Sequence, residues 1–217
     1  MNVITAFFEK HGHDILVHTY EHVYLCFFTL VIAVAIAVPV GILLAHCRWR
    51  PVVSSTMLGA SVVQTVPSLA LIALIVVLCA QIGWPTLGTL PAMIALVLYA
   101  LLPILRNTYT GLRQLDPATL EVARGMGMRP RQILFQVELP LALPVIMAGI
   151  RTATVWTIGI ATLCTLIGAG GLGDLIMRGL RSIQIDYLLA GTIPAALMAI
   201  VADGILAWVE RWLTPQT

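Results

Sequence analysis

The sequence predicts an all-α fold, a polytopic membrane helix bundle with about five transmembrane helices. The run from Pro51 to Leu105 holds no Asp, Glu, Lys or Arg. That is too long for one crossing at roughly 20 apolar residues each, and about right for two. Across 217 residues, 59% are hydrophobic and 10% charged, and the mean hydropathy is +0.97, whereas soluble domains carry about 25% charged residues. The apolar segments lack the alternation of a transmembrane barrel. Backbone groups in lipid must pair within their own segment, which leaves helices.

Residues 1–22 are expected to form an extracytoplasmic segment, a short interfacial helix with Phe7, Phe8, Ile15 and Leu16 in the headgroup region. No short basic region leads into an apolar core there, so the first apolar segment is expected to stay as an anchor. It covers about 23–45. The second and third crossings, about 55–80 and 91–105, divide the uncharged run. Gly83, Trp84, Pro85 and Gly88 break the chain in the turn between them. Gln64 and Pro67 mark a polar, kinked point in the second crossing. The fourth covers about 143–167 and the fifth about 187–208. Residues 23–214 are thus expected to be a single transmembrane domain, with 215–217 as a tail.

Basic residues set the expected orientation. One set of connections holds Arg48, Arg50, Arg106, Arg113, Arg124, Arg129, Arg131 and Arg211; the other holds Lys10, Arg178 and Arg181. The richer set is expected on the cytoplasmic side, which puts the amino terminus outside and the carboxyl terminus inside. Charges distributed by topology give no basic patch for nucleic acid. Cys26, Cys47, Cys79 and Cys164 are scattered singly, without the spacing of a zinc site or disulfide framework. His11, His13, His18 and His22 are read as solvated loop histidines. His18 and His22 would share a helix face, but no third metal ligand follows at regular spacing.

Residues 106–140 form the longest polar stretch and read as two short helices. Asp116 is a good N-cap and Pro117 fits the first helical position. Leu120, Ala123 and Met126 recur at helical spacing, with Glu121 and Arg124 facing away. Gly125 and Gly127 end that helix. Pro130 starts a second one, with Ile133, Leu134 and Val137 on its apolar face, and Pro140 is expected to stop it before the next crossing. Such a hairpin either lies flat in the interface or docks into a groove on a cytoplasmic partner.

Glu121-Val122-Ala123, Gly127 and Leu139-Pro140 resemble the EAA loop of ABC importer permeases: Glu-Ala-Ala, three residues, Gly, nine residues, then Ile-x-Leu-Pro. Val122 and Val137 are mild apolar departures from it. The resemblance implies a type I importer (MetI-like) membrane domain whose loop 106–140 forms a coupling helix in a cleft of an ATPase subunit. Glu121, Ala123, Gly127, Leu139 and Pro140 would be the coupling positions. Gln64-Thr65-Val66-Pro67-Ser68-Leu69, the stretch from Leu102 to Tyr109, and Ile167-Gly168-Ala169-Gly170-Gly171-Leu172-Gly173 are similar to the permeases of osmoprotectant importers. Those systems move glycine betaine, carnitine, choline and related quaternary amines. The glycine-rich stretch is shared with methionine-type permeases, so a permease for methionine or another small metabolite is the alternative.

Gly168-x-Gly170-x-x-Gly173 also fits a dinucleotide-binding string, but a membrane helix precedes it where that site needs a strand. It is read as an irregular gate loop or as a plain surface turn, Gly168, Gly170, Gly171 and Gly173 being the gate candidates. Gln64 and Pro67 are candidate pathway-lining residues. Asp203 lies well inside the fifth crossing, where a carboxylate needs a partner or water. Two readings stand for it: an ion pair with Arg151, or attraction of a cationic substrate.

The resemblance implies partners. Two permeases pair, as a homodimer or with a sister chain, two ATPase subunits bind below, and an extracytoplasmic substrate-binding protein delivers cargo to this bacterial inner-membrane subunit. The chain has no phosphate loop of the GxxxxGK[ST] type, so ATP and Mg are expected in the partner, and neither catalytic residues, metal nor cofactor in this chain. A different class, an intramembrane enzyme or an ATPase-free channel, would need paired catalytic groups or independent transport, and only Asp203 lies clearly within the membrane. Quaternary amines are held by aromatic faces, yet aromatics are only 7% of residues. Recognition is therefore expected in the binding protein.

Overall fold

A computed structural model describes the backbone of residues 3–213 and the side chains of residues 11–213. The described residues are helical, and they hold no strand. Helix α1 is Val3–His46, α2 Arg50–Thr65, α3 Ser68–Gln81, α4 Thr89–Arg113 and α5 Pro117–Gly125. Helix α6, Pro130–Ile133, runs through a π-helical turn, Leu134–Glu138, into α7, Leu139–Ala161, which ends in a 3₁₀ turn, Thr162–Ile167. Helices α8, Leu172–Ser182, and α9, Ile185–Leu213, complete the bundle. Four segments are long and apolar enough to cross a membrane, and α2 with α3 makes a fifth if the bent pair is one span.

Several boundaries differ from the expectation. Residues 3–22 are not a separate short helix, because α1 continues through them without a break over 44 residues. No proline interrupts residues 3–22. The side chains of Phe7 and Phe8 and the tail 215–217 lie outside the described residues. The second crossing is not one kinked helix but two, bent by 105° between Thr65 and Ser68. Pro140 does not stop a helix either. A proline lacks an N–H and crowds the preceding turn, and the adjacent π turn absorbs both effects. Leu139 N–H bonds back five residues to the Leu134 carbonyl, so the chain runs on into α7.

The core lies where α4 threads between α1 and α7. Ala33, Ala37, Ala100, Ile104 and Ala153 are buried together midway along it. Small side chains at this crossing let the helix backbones approach closely. A second cluster joins α1, α3, α4 and α7 through Leu25, Ile72, Leu96 and Ile158. Nearer the His46 end, Ala45, Leu112, Ala142 and Ile146 pack together. Beyond the opposite end, α8 and α9 pack with the amino-terminal part of α1 around Leu172, Leu175 and Ala190, with Ile15 and Tyr187 against them. The His11 and Tyr187 rings meet in a T-shaped contact, centroids 4.7 Å apart.

The two ends of the bundle are distinct. At one, Gly88 N–H, before α4, bonds to the Ile167 carbonyl at 2.7 Å. At the other, His46 of α1 meets Glu138 of the π turn, Nε2 to Oε2 2.9 Å.

Candidate functional site

At the His46 end, the Asp116 carboxylate accepts a bond from Ala118 N–H at 2.9 Å and caps α5, with Pro117 in the first turn. Met128 N–H bonds back to the Ala123 carbonyl, and Gly127 takes a left-handed φ of 78° to close the helix. Glu121 and Gly127 are exposed, as are Val122 at 63% and Met126 at 75%. Ala123 is buried and packs inward. The outward apolar side chains of α5 are therefore Val122 and Met126, where the sequence pattern set Met126 on one face with Ala123. Leu139 and Pro140 are half-buried at the start of α7, and Leu139 packs against the cluster around Leu112. They stand apart from the exposed face of α5 as part of its support.

Beneath α5 lies a cavity of about 880 Å³, whose lining includes Arg48, Arg50, Arg113, Arg124, Glu121 and Glu138. His46 Nδ1 lies 2.9 Å from the Ile42 carbonyl while its Nε2 faces Glu138. This cross-link fixes the end of α1 to the root of the hairpin. Sequence reasoning passed over Glu138, which is the x of the Ile-x-Leu-Pro string.

Gln64 and Pro67 lie at the break between α2 and α3. The Gln64 side-chain amide donates to the Tyr99 carbonyl at 3.2 Å, and the Tyr99 hydroxyl donates to the Val66 carbonyl. Tyr99, buried on α4, was not anticipated.

The glycine string forms a turn from Gly168 to Gly171 followed by α8, which the sequence reading missed although Leu172, Leu175 and Gly179 recur at helical spacing. Gly168, Gly170 and Gly171 all have positive φ. Gly171 N–H donates to Glu21 Oε2 at 2.9 Å, and the same oxygen lies 3.0 Å from His18 Nδ1. Leu172 N–H donates to His22 Nδ1 at 3.3 Å, and His22 Nε2 meets the Ile158 carbonyl at 3.1 Å. The neutral Nε2–H tautomer satisfies both contacts. His22 and His11 are thus buried rather than solvated, whereas His13 is exposed. The membrane segment before the turn is helical, and among the described residues no strand makes a dinucleotide site. Among them, too, no three His, Cys, Asp or Glu side chains converge as a metal site.

The structure brings Arg151 and Asp203 together. The guanidinium donates from Nε to Oδ1 at 2.8 Å and from Nη2 to Oδ2 at 2.9 Å, a bidentate pair, and from Nη1 to Glu210 Oε2 at 3.2 Å. Glu210 was missed, though it lies seven residues after Asp203 and so on the same helical face.

A family model described as a binding-protein-dependent transport system inner membrane component matches residues 37–215. A carnitine transport permease protein, OpuCB, of Listeria monocytogenes is 46% identical over 217 residues, covering 100% of this chain and 95% of that protein. A choline transport system permease protein, OpuBB, of Bacillus subtilis is 44% identical, covering 99% and 95%. The osmoprotectant import permease protein OsmW of Salmonella typhimurium is 43% identical, covering 91% of each. Among solved structures, an inward-facing form of the MetNI methionine ABC transporter has a TM-score of 0.82 over 93% of this chain and 97% of that chain. Its identity is 21%, so the likeness shows the fold alone.

Proposed function

Because the chain belongs to the family of inner membrane components of binding-protein-dependent transport systems, and so is a permease subunit of an ABC importer, we propose that it forms the pathway for quaternary amine osmoprotectants such as glycine betaine, carnitine or choline. The observation that carries this reading is 46% identity along the whole chain to a carnitine permease. The methionine alternative rests on a fold likeness at 21% identity and takes second place.

In this reading the His46 end faces the cytoplasm. Its connections hold most of the arginines, which supports the assignment, and the amino terminus is then outside. Helix α5 is the coupling element, and Glu121 with the outward Val122 and Met126 meets the cleft of the ATPase subunit. ATP and Mg bind in that partner, and this chain performs no catalysis. A second permease, identical or a sister chain, completes the pathway, and an extracytoplasmic binding protein supplies cargo at the end bearing the glycine turn. Gln64 and Pro67 line the pathway, and the turn at Gly168, Gly170, Gly171 and Gly173 borders its outer mouth. Asp203 belongs to an ion pair rather than a substrate site, since both its oxygens are engaged by Arg151. ATP and loaded binding protein each drive the cycle only by preferring one conformation of the bundle.

Uptake of labelled choline into vesicles carrying the complete transporter tests the substrate. Glycine betaine and carnitine should compete and methionine should not; the reverse pattern overturns the assignment. Glu121→Lys tests the coupling site. The variant should reach the membrane but lose ATPase association, and undiminished association would remove α5 from that role.

A further inference from the structure

Two prolines interrupt hydrogen-bonding ladders on neighbouring helices. Pro103 lies inside α4. It has no N–H, so the carbonyl four residues earlier, that of Tyr99, loses its helical donor. Pro67 follows the end of α2, where Val66 is extended (φ −70°, ψ 127°) and turns its own carbonyl off the ladder. Unpaired carbonyls are strongly disfavoured at membrane depth. Each is met from the opposite helix, because Gln64 of α2 donates to the Tyr99 carbonyl and the Tyr99 hydroxyl donates to the Val66 carbonyl. One residue of α4 both receives and gives.

This exchange matters for placement because α2 buries none of its residues. Its apolar packing is the partial burial of Val53, Met57 and Ala60 against the core, all nearer the start of α2 than the bend, so the polar exchange is what ties its far end to α4. Helix α4, by contrast, is deeply buried, and it runs on from Tyr99 to Arg113, three residues before the N-cap of α5.

We propose that Tyr99 and Gln64 form a clasp that makes the α2–α3 bend move with α4, so that displacement of α5 reaches the bend. Tyr99 is a positioning residue for transport. The inference rests on α5 as the coupling element, and the Glu121→Lys variant tests that reading separately through ATPase association.

The experiment uses the complete transporter in proteoliposomes, with Tyr99→Phe, Gln64→Met and the double variant. Phe keeps the ring and Met keeps the length, so each removes the polar group that donates while keeping the shape of the side chain. All three should assemble with the ATPase and hydrolyse ATP. Substrate moved per ATP should fall about three- to tenfold in each, with KM unchanged, and the double variant should be no worse than the weaker single, as expected for groups acting as one unit. Spin labels at Val62→Cys and Val77→Cys, one on each side of the bend, should show a broadened distance distribution in both single variants. A structural role alone would lower the amount of assembled complex without changing transport per ATP. Wild-type stoichiometry with an unbroadened distance, or an effect confined to Gln64→Met and expressed in KM, overturns the clasp.

Discussion

Alanine at Gly127 isolates the role of backbone shape in the hairpin proposed to couple to the ATPase. Gly127 closes α5 at φ +78°, and a Cβ there would meet nothing within 4 Å. The substitution therefore adds no clash and costs only the left-handed conformation, about 1–2 kcal/mol for an L-residue. If α5 must be presented in this conformation to the ATPase, the binding-competent population falls by about 5- to 30-fold and the Kd rises by the same factor. Gly125 supplies the control. It is helical and equally open, so alanine there should leave affinity unchanged or slightly improve it through helix propensity. Asparagine at 127, which tolerates the left-handed region better, should fall between glycine and alanine. The assay is titration of purified ATPase subunit onto permease in nanodiscs. Equal affinities for Gly125→Ala and Gly127→Ala would refute the reasoning, because strain at one residue could not then control presentation.

Gly173→Ala should be far more damaging to the fold itself. Its Cβ would lie 2.1 Å from the Thr162 carbonyl oxygen, a backbone atom that cannot swing aside, and overpacking of this kind costs about 1–3 kcal/mol or more. Thermal unfolding in detergent should show a clear loss, whereas Gly204→Ala, with open space around it, should be neutral or stabilising; parity between them would contradict the packing described. In the cluster around Arg151, Asp203→Asn should lower thermal stability clearly, since Arg151 engages both Asp203 oxygens, at 2.8 and 2.9 Å; an unchanged melting temperature would mean the bidentate pair is not an anchor. With the native cysteines replaced, Met126→Cys should react with a membrane-impermeant maleimide only in inverted vesicles, and Ile183→Cys in intact cells. Labelling of Met126→Cys from outside would reverse the proposed orientation.

The parts of this molecule legible in the sequence are those set by local chemistry. The uncharged run announced membrane helices because lipid excludes charge, and Asp116-Pro117 announced the start of α5 because capping is settled within a few residues. Other features depend on distant partners. Pro67 was legible as a kink, but the 105° bend is held by Tyr99, which follows Val66 by 33 residues. Pro140 read as a stop because the π turn that accommodates it has no side-chain signature. His22 looked solvated since the turn that buries it is 150 residues away. Helix α8 and Glu210 were within reach, the first through its apolar spacing and the second through its seven-residue offset from Asp203.

Helix α1 extends over 44 residues, about 66 Å at 1.5 Å per residue, while the hydrocarbon layer is only about 30 Å thick. Lys10, Asp14 and Glu21 confine the surplus to its amino-terminal side, so a rod braced by its two neighbours rises there like a mast above the lipid headgroups. In the proposed orientation that side is the outer one, and a cargo carrier arriving there would touch protein well before it touched lipid. The height and tilt of its landing would then be set by the chain itself, independently of how thick or fluid the surrounding bilayer happens to be.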